Sequence, residues 1–284
     1  MNRPLRALNY RSLLTFFRDR IGLPMLGRLG WDTKQSARQR VLDHLQGLYG
    51  GQVQYGLFKG MELGGEVWWS KYDLSTKILG VYEEHVLARI GEFYSASSAP
   101  FIDIGAADGY FAVGVAKSLP AAKVFAFEIS DRGRSVLQNN AQLNECSSAI
   151  AVGDEATYEA LANIISMHQS ALVLIDIEGD EYQLLDSEML SLLSSSTVIV
   201  ELHPRKVADG WHLQQKLMQD AAKFFETEIL VRETYNPNMF EELSEFSDEE
   251  RLLAFSEGRK AVGLWLILTP KAHSAKDYCN EHNC

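Results

Sequence analysis

Short apolar runs alternate with helical patterns through the middle of this chain, and no other feature constrains the fold as strongly. The runs predicted as strands are Pro100–Ile104, Lys123–Glu128, Ala149–Val152, Ala171–Asp176 and Thr197–Leu202. The helical patterns between them are Gly109–Ser118, Arg132–Asn144, Glu155–His168 and Glu181–Leu193. Strand–helix alternation at this spacing predicts a parallel sheet with right-handed crossovers. Because the runs are apolar throughout rather than alternating, both faces of the sheet should be buried.

Two later segments extend this pattern. Thr227–Val231 and Ala261–Leu268 are predicted to be strands, separated by the acidic stretch Glu241–Arg251. The predicted fold class is therefore α/β, with a doubly wound, mostly parallel, Rossmann-like sheet of seven strands that ends in a hairpin. We expect an N-terminal helical and hairpin extension over residues 1–95, a main domain over 96–270 and a tail over 271–284. The acidic segment Pro237–Glu250 is expected to be a solvated loop rather than a lid over the site.

The first 40 residues are basic, whereas the remainder of the chain is acidic. Nine Lys or Arg face two Asp there, a balance of +7 in a chain of net charge −11, so the remainder carries −18. An acidic body repels phosphate backbones, and a nucleic-acid partner is not expected. Arg3–Ile21 has the pattern of a basic amphipathic helix, which could lie on an anionic membrane or dock on protein. Ser36–Leu48 is predicted to be a second helix, and Asp73 to cap a later one.

Cysteine usage and hydropathy bear on localisation. Cys146, Cys279 and Cys284 fit neither a disulfide framework nor a zinc-ligand spacing. The apolar run Ala261–Leu268 is too short to span a bilayer, and no signal peptide is evident. These features predict a reducing, cytoplasmic setting, with peripheral membrane contact through the N-terminal helix as an option.

The loop after the first predicted strand contains the principal binding motif. It reads Asp103-Ile104-Gly105-Ala106-Ala107-Asp108-Gly109-Tyr110. A dinucleotide fingerprint needs glycines at i, i+2 and i+5, and counting from Gly105 the last two positions hold Ala107 and Tyr110. The remaining acidic-x-Gly-x-x-x-Gly pattern suits a nucleoside ligand without phosphate, with Asp103 attracting a cationic amino group. S-adenosylmethionine (SAM) has this chemistry, so Gly105, Ala106 and Gly109 are predicted to form its binding turn.

Two acidic residues follow the next strands at positions typical of nucleoside contacts. Glu128 ends the second predicted strand, where a carboxylate can accept hydrogen bonds from ribose hydroxyls. Asp154 follows the third strand and could accept a bond from an adenine amino group. Asp154 could equally be the N-cap of a helix that begins at Glu155.

Four ionisable side chains follow the fourth and fifth strands and are the candidate catalytic group. Asp176 and Glu178 end one strand, and Glu201 and His203 end the other. Their convergence near the nucleoside loop would place them beside a methyl acceptor, with His203 as general base and Glu201 or Asp176 orienting it. Three alternatives stay open. The four groups could bind a divalent metal, Glu178 and Glu181 could be ordinary first-turn helix acids, and His203 could be a buried structural residue.

These motifs together resemble the FkbM family of SAM-dependent methyltransferases over about Gly80–Pro204. The matching pieces are Tyr82-Glu83, Asp103–Tyr110, Phe127-Glu128, Leu143-Asn144, Asp176–Glu181 and Val200–His203. The resemblance implies the class I methyltransferase fold, SAM binding by Asp103, Gly105 and Glu128, a position near the cofactor for Glu83, and an acceptor-facing role for Asp176, Glu178, Glu201 and His203. The sequence departs from the family where Ala107 replaces the usual asparagine and Ile129 the usual proline.

The leading functional hypothesis is O-methylation of a sugar, glycan or glycolipid hydroxyl. Methylation of a protein or another small molecule, and SAM binding without turnover, are the alternatives. An Asn/Asp-Pro-Pro-aromatic signature is absent after the fourth strand, which argues against base N-methylation. SAM is the expected cofactor, and a divalent metal is considered but not favoured.

Overall fold

Seven strands form one sheet in a computed structural model of the chain that describes residues 34–66, 71–119, 123–232, 235–257, 259 and 262–271. The strands are β1 Phe101–Ile104, β2 Val124–Phe127, β3 Ile150–Gly153, β4 Leu172–Ile175, β5 Thr197–Leu202, β6 Phe225–Val231 and β7 Leu264–Pro270. Their order is β3-β2-β1-β4-β5-β7-β6. The pairs among β1–β5 are parallel, and β7 runs antiparallel to both β5 and β6. This arrangement is the class I methyltransferase, Rossmann-like fold, and it confirms the predicted fold class.

Most helices of the described chain precede the sheet or cover its two faces, and the last one lies between β6 and β7 and packs against the first. They are α1 Lys34–Tyr49, α2 Leu74–Leu79, α3 Glu84–Ala96, α4 Tyr110–Ser118, α5 Asp131–Leu143, α6 Tyr158–His168, α7 Glu181–Leu184, α8 Ser187–Leu192, α9 Gly210–Ala221 and α10 Asp248–Ala254. Apolar residues of α3, α4 and α5 pack on one face of the sheet, and those of α6, α8 and α9 pack on the other.

Successive residues of the central strands enter opposite faces of this sandwich. In β1, Phe101 belongs to the first apolar cluster, whereas Ile102 and Ile104 belong to the second. All four residues of β1 and of β4 are buried. Because side chains alternate along a strand, a strand covered on both faces must be apolar throughout. Each such side chain contributes about 1.5–3 kcal/mol through burial.

A third apolar cluster joins α1 and α2 to the segment between β6 and β7. Val41, Leu45 and Ile78 are fully buried against Leu243 and Ala254. The expectation that this segment is a solvated loop was therefore wrong. It forms 3₁₀ turns at Pro237–Met239 and Glu241–Leu243, followed by α10. The packing was not evident from the sequence, because acidic residues dominate the segment and occupy the outer side of elements whose few apolar side chains face α1.

Two predicted helices are each broken in the structure. The helix expected after Asp73, with apolar positions at Leu79, Val86, Leu87 and Ile90, is divided at Gly80, which adopts a left-handed conformation (φ 75°) and ends α2. A β-carbon there would lie 2.0 Å from the carbonyl oxygen of Tyr55, so only glycine fits. The pattern Glu181–Leu193 divides into α7 and α8 because Asp186 caps α8 by accepting backbone N–H bonds from two of its residues. Helix α9 was not predicted from the sequence.

Some of the remaining predictions fall on residues that the structure describes, and others do not. The predicted glycine-rich hairpin is present as an antiparallel bridge between Gln52 and Glu62. Cys146 is a buried free thiol. No helix in the described part of the chain is long and apolar enough to cross a bilayer. The basic segment Arg3–Ile21 and the tail from residue 272 onward lie outside the described residues.

Candidate functional site

A cleft of about 640 Å³ opens at the carboxyl edge of the sheet. Its walls come from the loops that follow β1, β2, β3 and β4, together with parts of α2 and α7. Ligands of doubly wound sheets bind at this edge, where the strand order reverses. The volume lies within the usual range for small-molecule sites.

The loop after β1 turns beneath this cleft on two left-handed glycines. Gly105 has φ 87°, and a β-carbon there would lie 2.0 Å from the carbonyl oxygen of Asp176. Gly109 has φ 83° and is the N-cap residue of α4. The backbone N–H groups of Gly105 and Ala106 donate to the carbonyl of Phe127 at 2.9 and 3.0 Å, which fixes the turn against β2. Gly105 and Ala106 line the cleft, whereas Gly109 shapes the turn from beside Leu137.

Asp103 places a buried carboxyl group beside this turn. Its side chain lines the cleft, the residue is 2% exposed, and its Oδ2 has no hydrogen-bond partner. Burial raises the pKa of Asp103 to about 7, against a lowering hydrogen bond from the Ala112 backbone. A buried acid of this kind is stabilised by a cationic ligand, because the ligand supplies the missing countercharge.

Glu128 connects the ends of β1 and β2 at the same cleft. Its Oε2 accepts a bond from the Ala107 backbone at 2.9 Å, and its Oε1 accepts one from Ser130 at 2.8 Å. Each carboxylate oxygen can accept a second bond, so capacity remains for ligand hydroxyls. Glu128 is not an ordinary surface carboxylate, because the residue is buried.

Asp154 also lines the cleft but is exposed. The alternative that it caps a helix is wrong, because α6 begins at Tyr158 and Thr157 caps it by accepting a bond from the Ala160 backbone. The Asp154 carboxylate accepts the N–H of Glu155, and this bond lowers its pKa.

His203 lies among the acidic side chains that follow β4 and β5. Its Nε2 is 3.4 Å from Glu178 Oε2 and 3.7 Å from both Asp176 Oδ1 and Glu201 Oε2. The structure thus brings the four predicted residues together. Asp176 and Glu178 line the cleft, and the His203 imidazole, which is not itself among the lining residues, is within contact distance of both.

Glu181 binds the backbone of the two segments that carry these side chains. It is fully buried, its Oε1 accepts a 2.7 Å bond from the His203 backbone, and its Oε2 accepts a 2.8 Å bond from the Gly179 backbone. One carboxylate therefore joins the loop after β4 to the end of β5. Glu181 is in the first turn of α7, as the ordinary helix-acid interpretation expected, but its main contacts are made outside that helix.

The charges of the group shift its proton equilibria. Burial lowers the pKa of His203, but the Glu181 carboxylate 3.5 Å from its Nδ1, followed by the Glu201 and Asp176 carboxylates, outweighs burial and raises the pKa. Burial and the neighbouring Glu201 carboxylate raise the pKa of Asp176. The imidazole is therefore a stronger base than that of a free histidine. If it is the general base, the rising limb of the rate–pH profile should lie above the usual histidine value near 6.5.

Glu83 occupies a different position from the one expected. It does not line the cleft, and its carboxylate is bound by Arg259 and, at 3.2 Å, by the indole N–H of Trp265. Arg259 also donates to Glu201 at 2.5 Å. Glu83 thus does not face the cleft; it contacts Arg259, which in turn binds Glu201 of the acidic group.

Asp176, Glu178 and His203 could also hold a metal ion. One ligand atom from each lies within 4.8 Å of the others. Carboxylate and imidazole ligands suit divalent cations. However, the Lys206 ammonium is in direct contact with Glu178, and this cation would have to move before a metal could bind.

Three residues were given no role in the site by the sequence: Glu181, Arg259 and Lys77, the last of which lines the cleft. Glu181 carried a local signal in the Asp-x-Glu-Gly-x-Glu motif, and Lys77 carried one in its i,i+4 spacing from Asp73. Arg259 had no local signal, because its partner Glu83 is 176 residues away in the chain.

Comparisons with known proteins give partial similarities. No protein-family model matches the chain. The release factor glutamine methyltransferase of Flavobacterium psychrophilum is 43% identical over 51 residues, which span 18% of this chain and only 18% of that relative.

Several solved structures are similar at low sequence identity. The METTL16 methyltransferase domain is 12% identical with a TM-score of 0.48, over 84% of this chain and 81% of that one. An inferred O-methyltransferase from Klebsiella pneumoniae is 12% identical with a TM-score of 0.45, over 83% and 90% of the respective chains. A precorrin-6y C5,15-methyltransferase from Geobacter metallireducens is 11% identical with a TM-score of 0.41, over 61% and 80%. Similarities of this extent identify neither a family nor an acceptor.

Proposed function

We propose that this protein is a SAM-dependent methyltransferase whose cofactor lies in the cleft after β1. The observation that carries this proposal is the pair Asp103 and Glu128. One is a buried carboxyl group with an unpartnered oxygen, and the other is a carboxylate fixed at the end of β2. Together they match a ligand with a cationic amino group and a ribose diol, and the glycine turn between them provides no phosphate-binding fingerprint.

The chain's own residues bind and orient both reactants. SAM supplies an electrophilic methyl group on a sulfonium, which is already a good leaving group. Asp103 balances positive charge, Glu128 accepts from ribose hydroxyls, and the Gly105–Ala106 turn sets the depth of the site. What remains for the protein is alignment of the acceptor and removal of its proton.

Calorimetry with SAM and with its product S-adenosylhomocysteine tests the cofactor assignment. We expect Glu128→Gln and Asp103→Asn to weaken binding, and NAD not to bind. Glu226→Gln is a matched control, because this exposed glutamate on β6 lies outside the cleft. Unchanged affinity in both cleft variants would refute the assignment.

For the acceptor, we propose a hydroxyl of a sugar or glycan, with His203 as general base. The acidic group suits a polyhydroxylated ligand because carboxylates accept hydroxyl hydrogen bonds. The raised pKa of His203 suits it to receive a hydroxyl proton. The FkbM-like motif around Asp176 and Glu178 supports the same class of acceptor.

A labelled-methyl transfer screen over sugars, glycolipids, peptides and lysate fractions tests this assignment. His203→Gln should keep SAM affinity and lose about 10²–10⁴ in rate. Transfer only to a peptide or to a non-sugar small molecule would overturn the acceptor class. SAM binding without transfer to any fraction would favour a non-catalytic module.

A metal-assisted reaction is the second candidate, because Asp176, Glu178 and His203 can converge on one ion. In that case EDTA would abolish transfer and added Mg²⁺ would restore it. Transfer that is insensitive to EDTA but lost in His203→Gln supports the general base instead.

A further inference from the structure

Lys77 is a buried cation in the wall of the cleft, and the sequence analysis gave it no role. It is 5% exposed at the end of α2. Its Nζ lies 3.1 Å from Asp73 Oδ2 and 3.0 Å from Asp108 Oδ2, and about 5 Å from the ring centroids of Tyr82 and Tyr110. Burying an ammonium is costly unless carboxylates or a ligand compensate it.

The charges around Lys77 are complementary to a zwitterion. Among the described residues that line the cleft, Lys77 is the only Lys or Arg. An ammonium has three donors, and its two carboxylate partners leave one for a ligand. Asp73 and Asp103 are at least nine-tenths buried in the same cleft, and each has one side-chain oxygen without a hydrogen-bond partner. The cleft wall thus contains one cationic donor and two buried carboxylates, each with an oxygen that lacks a hydrogen-bond donor.

We propose that Lys77 binds the α-carboxylate of the cofactor's amino-acid moiety, and that Asp73 shares the α-ammonium with Asp103. This inference rests on the proposed SAM site and identifies which residues recognise the amino-acid end. Asp108, in the turn after β1, holds Lys77 in place from the other side. The competing role for Lys77 is purely structural, as a lock on the Asp108 turn.

The two roles differ in how they depend on the ligand. SAM, decarboxylated SAM and 5′-methylthioadenosine share the nucleoside, but only SAM has the carboxylate. We expect Lys77→Met to raise the Kd for SAM about 10- to 100-fold, because a charge-assisted bond is lost. The Kd for decarboxylated SAM and for methylthioadenosine should change by no more than about twofold. Lys216→Met, on the exposed side of α9, is the matched control and should change none of the three.

Lys77→Met leaves the buried Asp73 carboxylate and the partly buried Asp108 carboxylate without their partner, which could impair folding. The variant Lys77→Met/Asp108→Asn removes one of those charges, and Asp108→Asn alone is its reference. The preference for SAM over decarboxylated SAM should be retained in Asp108→Asn and lost in the double variant.

Equal weakening of all three ligands by loss of Lys77 would show a structural lock and overturn the inference. Failure of the unsubstituted chain to bind any of the three ligands would instead overturn the proposed cofactor site. The two failures are therefore distinguishable in one set of titrations.

Discussion

Asp103→Asn should make the protein more stable at high pH while it weakens cofactor binding. Asp103 is 2% exposed, and burial raises its pKa from 3.8 to about 7. Above the unfolded-state pKa the unfolded chain ionises this group more readily than the folded one, so stability falls as pH rises from 4 to 8. A shift of about 3 units corresponds to roughly 4 kcal/mol at pH 8, with nothing lost below pH 4.

The amide removes this pH dependence but introduces a constant cost. Its NH₂ would occupy the position of the unpartnered Oδ2, at about 1–3 kcal/mol for an unsatisfied donor. The difference in unfolding free energy between the two proteins should therefore change by roughly 4 kcal/mol between pH 4 and pH 8, in favour of the variant at pH 8. Urea unfolding of both proteins at several pH values away from the pI near 5.2 measures it. A difference that does not vary with pH would contradict this prediction, because it would show that burial does not raise the pKa of Asp103.

Three further predictions concern the same site. Affinity for SAM should fall about tenfold per pH unit below pH 7, because a cationic ligand requires ionised Asp103; calorimetry at several pH values measures the slope, and a flat profile in the unsubstituted protein contradicts it. Gly105→Ala should abolish SAM binding, since its β-carbon would meet the carbonyl of Asp176, whereas Gly47→Ala on α1 should bind normally and gain about 1 kcal/mol in urea unfolding; normal binding by Gly105→Ala would show that the turn can adjust. Glu181→Gln should move the rising limb of the rate–pH profile to lower pH, because it removes the carboxylate that raises the pKa of His203; an unmoved limb would assign that limb to another group.

Local pattern was sufficient to predict the seven strands of the sheet, but not the structure of the segment between β6 and β7. The apolar runs from β1 to β5 have the composition of strands buried on both faces, and the parallel order follows from the helices between them. The segment Pro237–Glu250 was misjudged because its charges dominate the pattern, while the few apolar side chains in and after it, Leu243 and Ala254 among them, are buried in the cluster with α1 and α2. This packing depends on tertiary proximity that no local window contains.

The site shows the same division. Asp103 and Glu128 were found because strand ends meet at one edge of a parallel sheet. Glu83 was misplaced because its partners Arg259 and Trp265 approach from the far end of the chain. Glu181 has the sequence position of an ordinary first-turn acid, and only the fold shows that it binds the backbone at two strand ends.

The central claim is that SAM binds in the cleft between Asp103 and Glu128, with its methyl group toward Asp176 and His203. A crystal structure of the protein with S-adenosylhomocysteine tests this most directly. In this complex we expect the ribose hydroxyls within hydrogen-bond distance of Glu128, the α-carboxylate at Lys77, and the sulfur facing the acidic group around His203. Density for the ligand outside this cleft, or with its ribose away from Glu128, would contradict it.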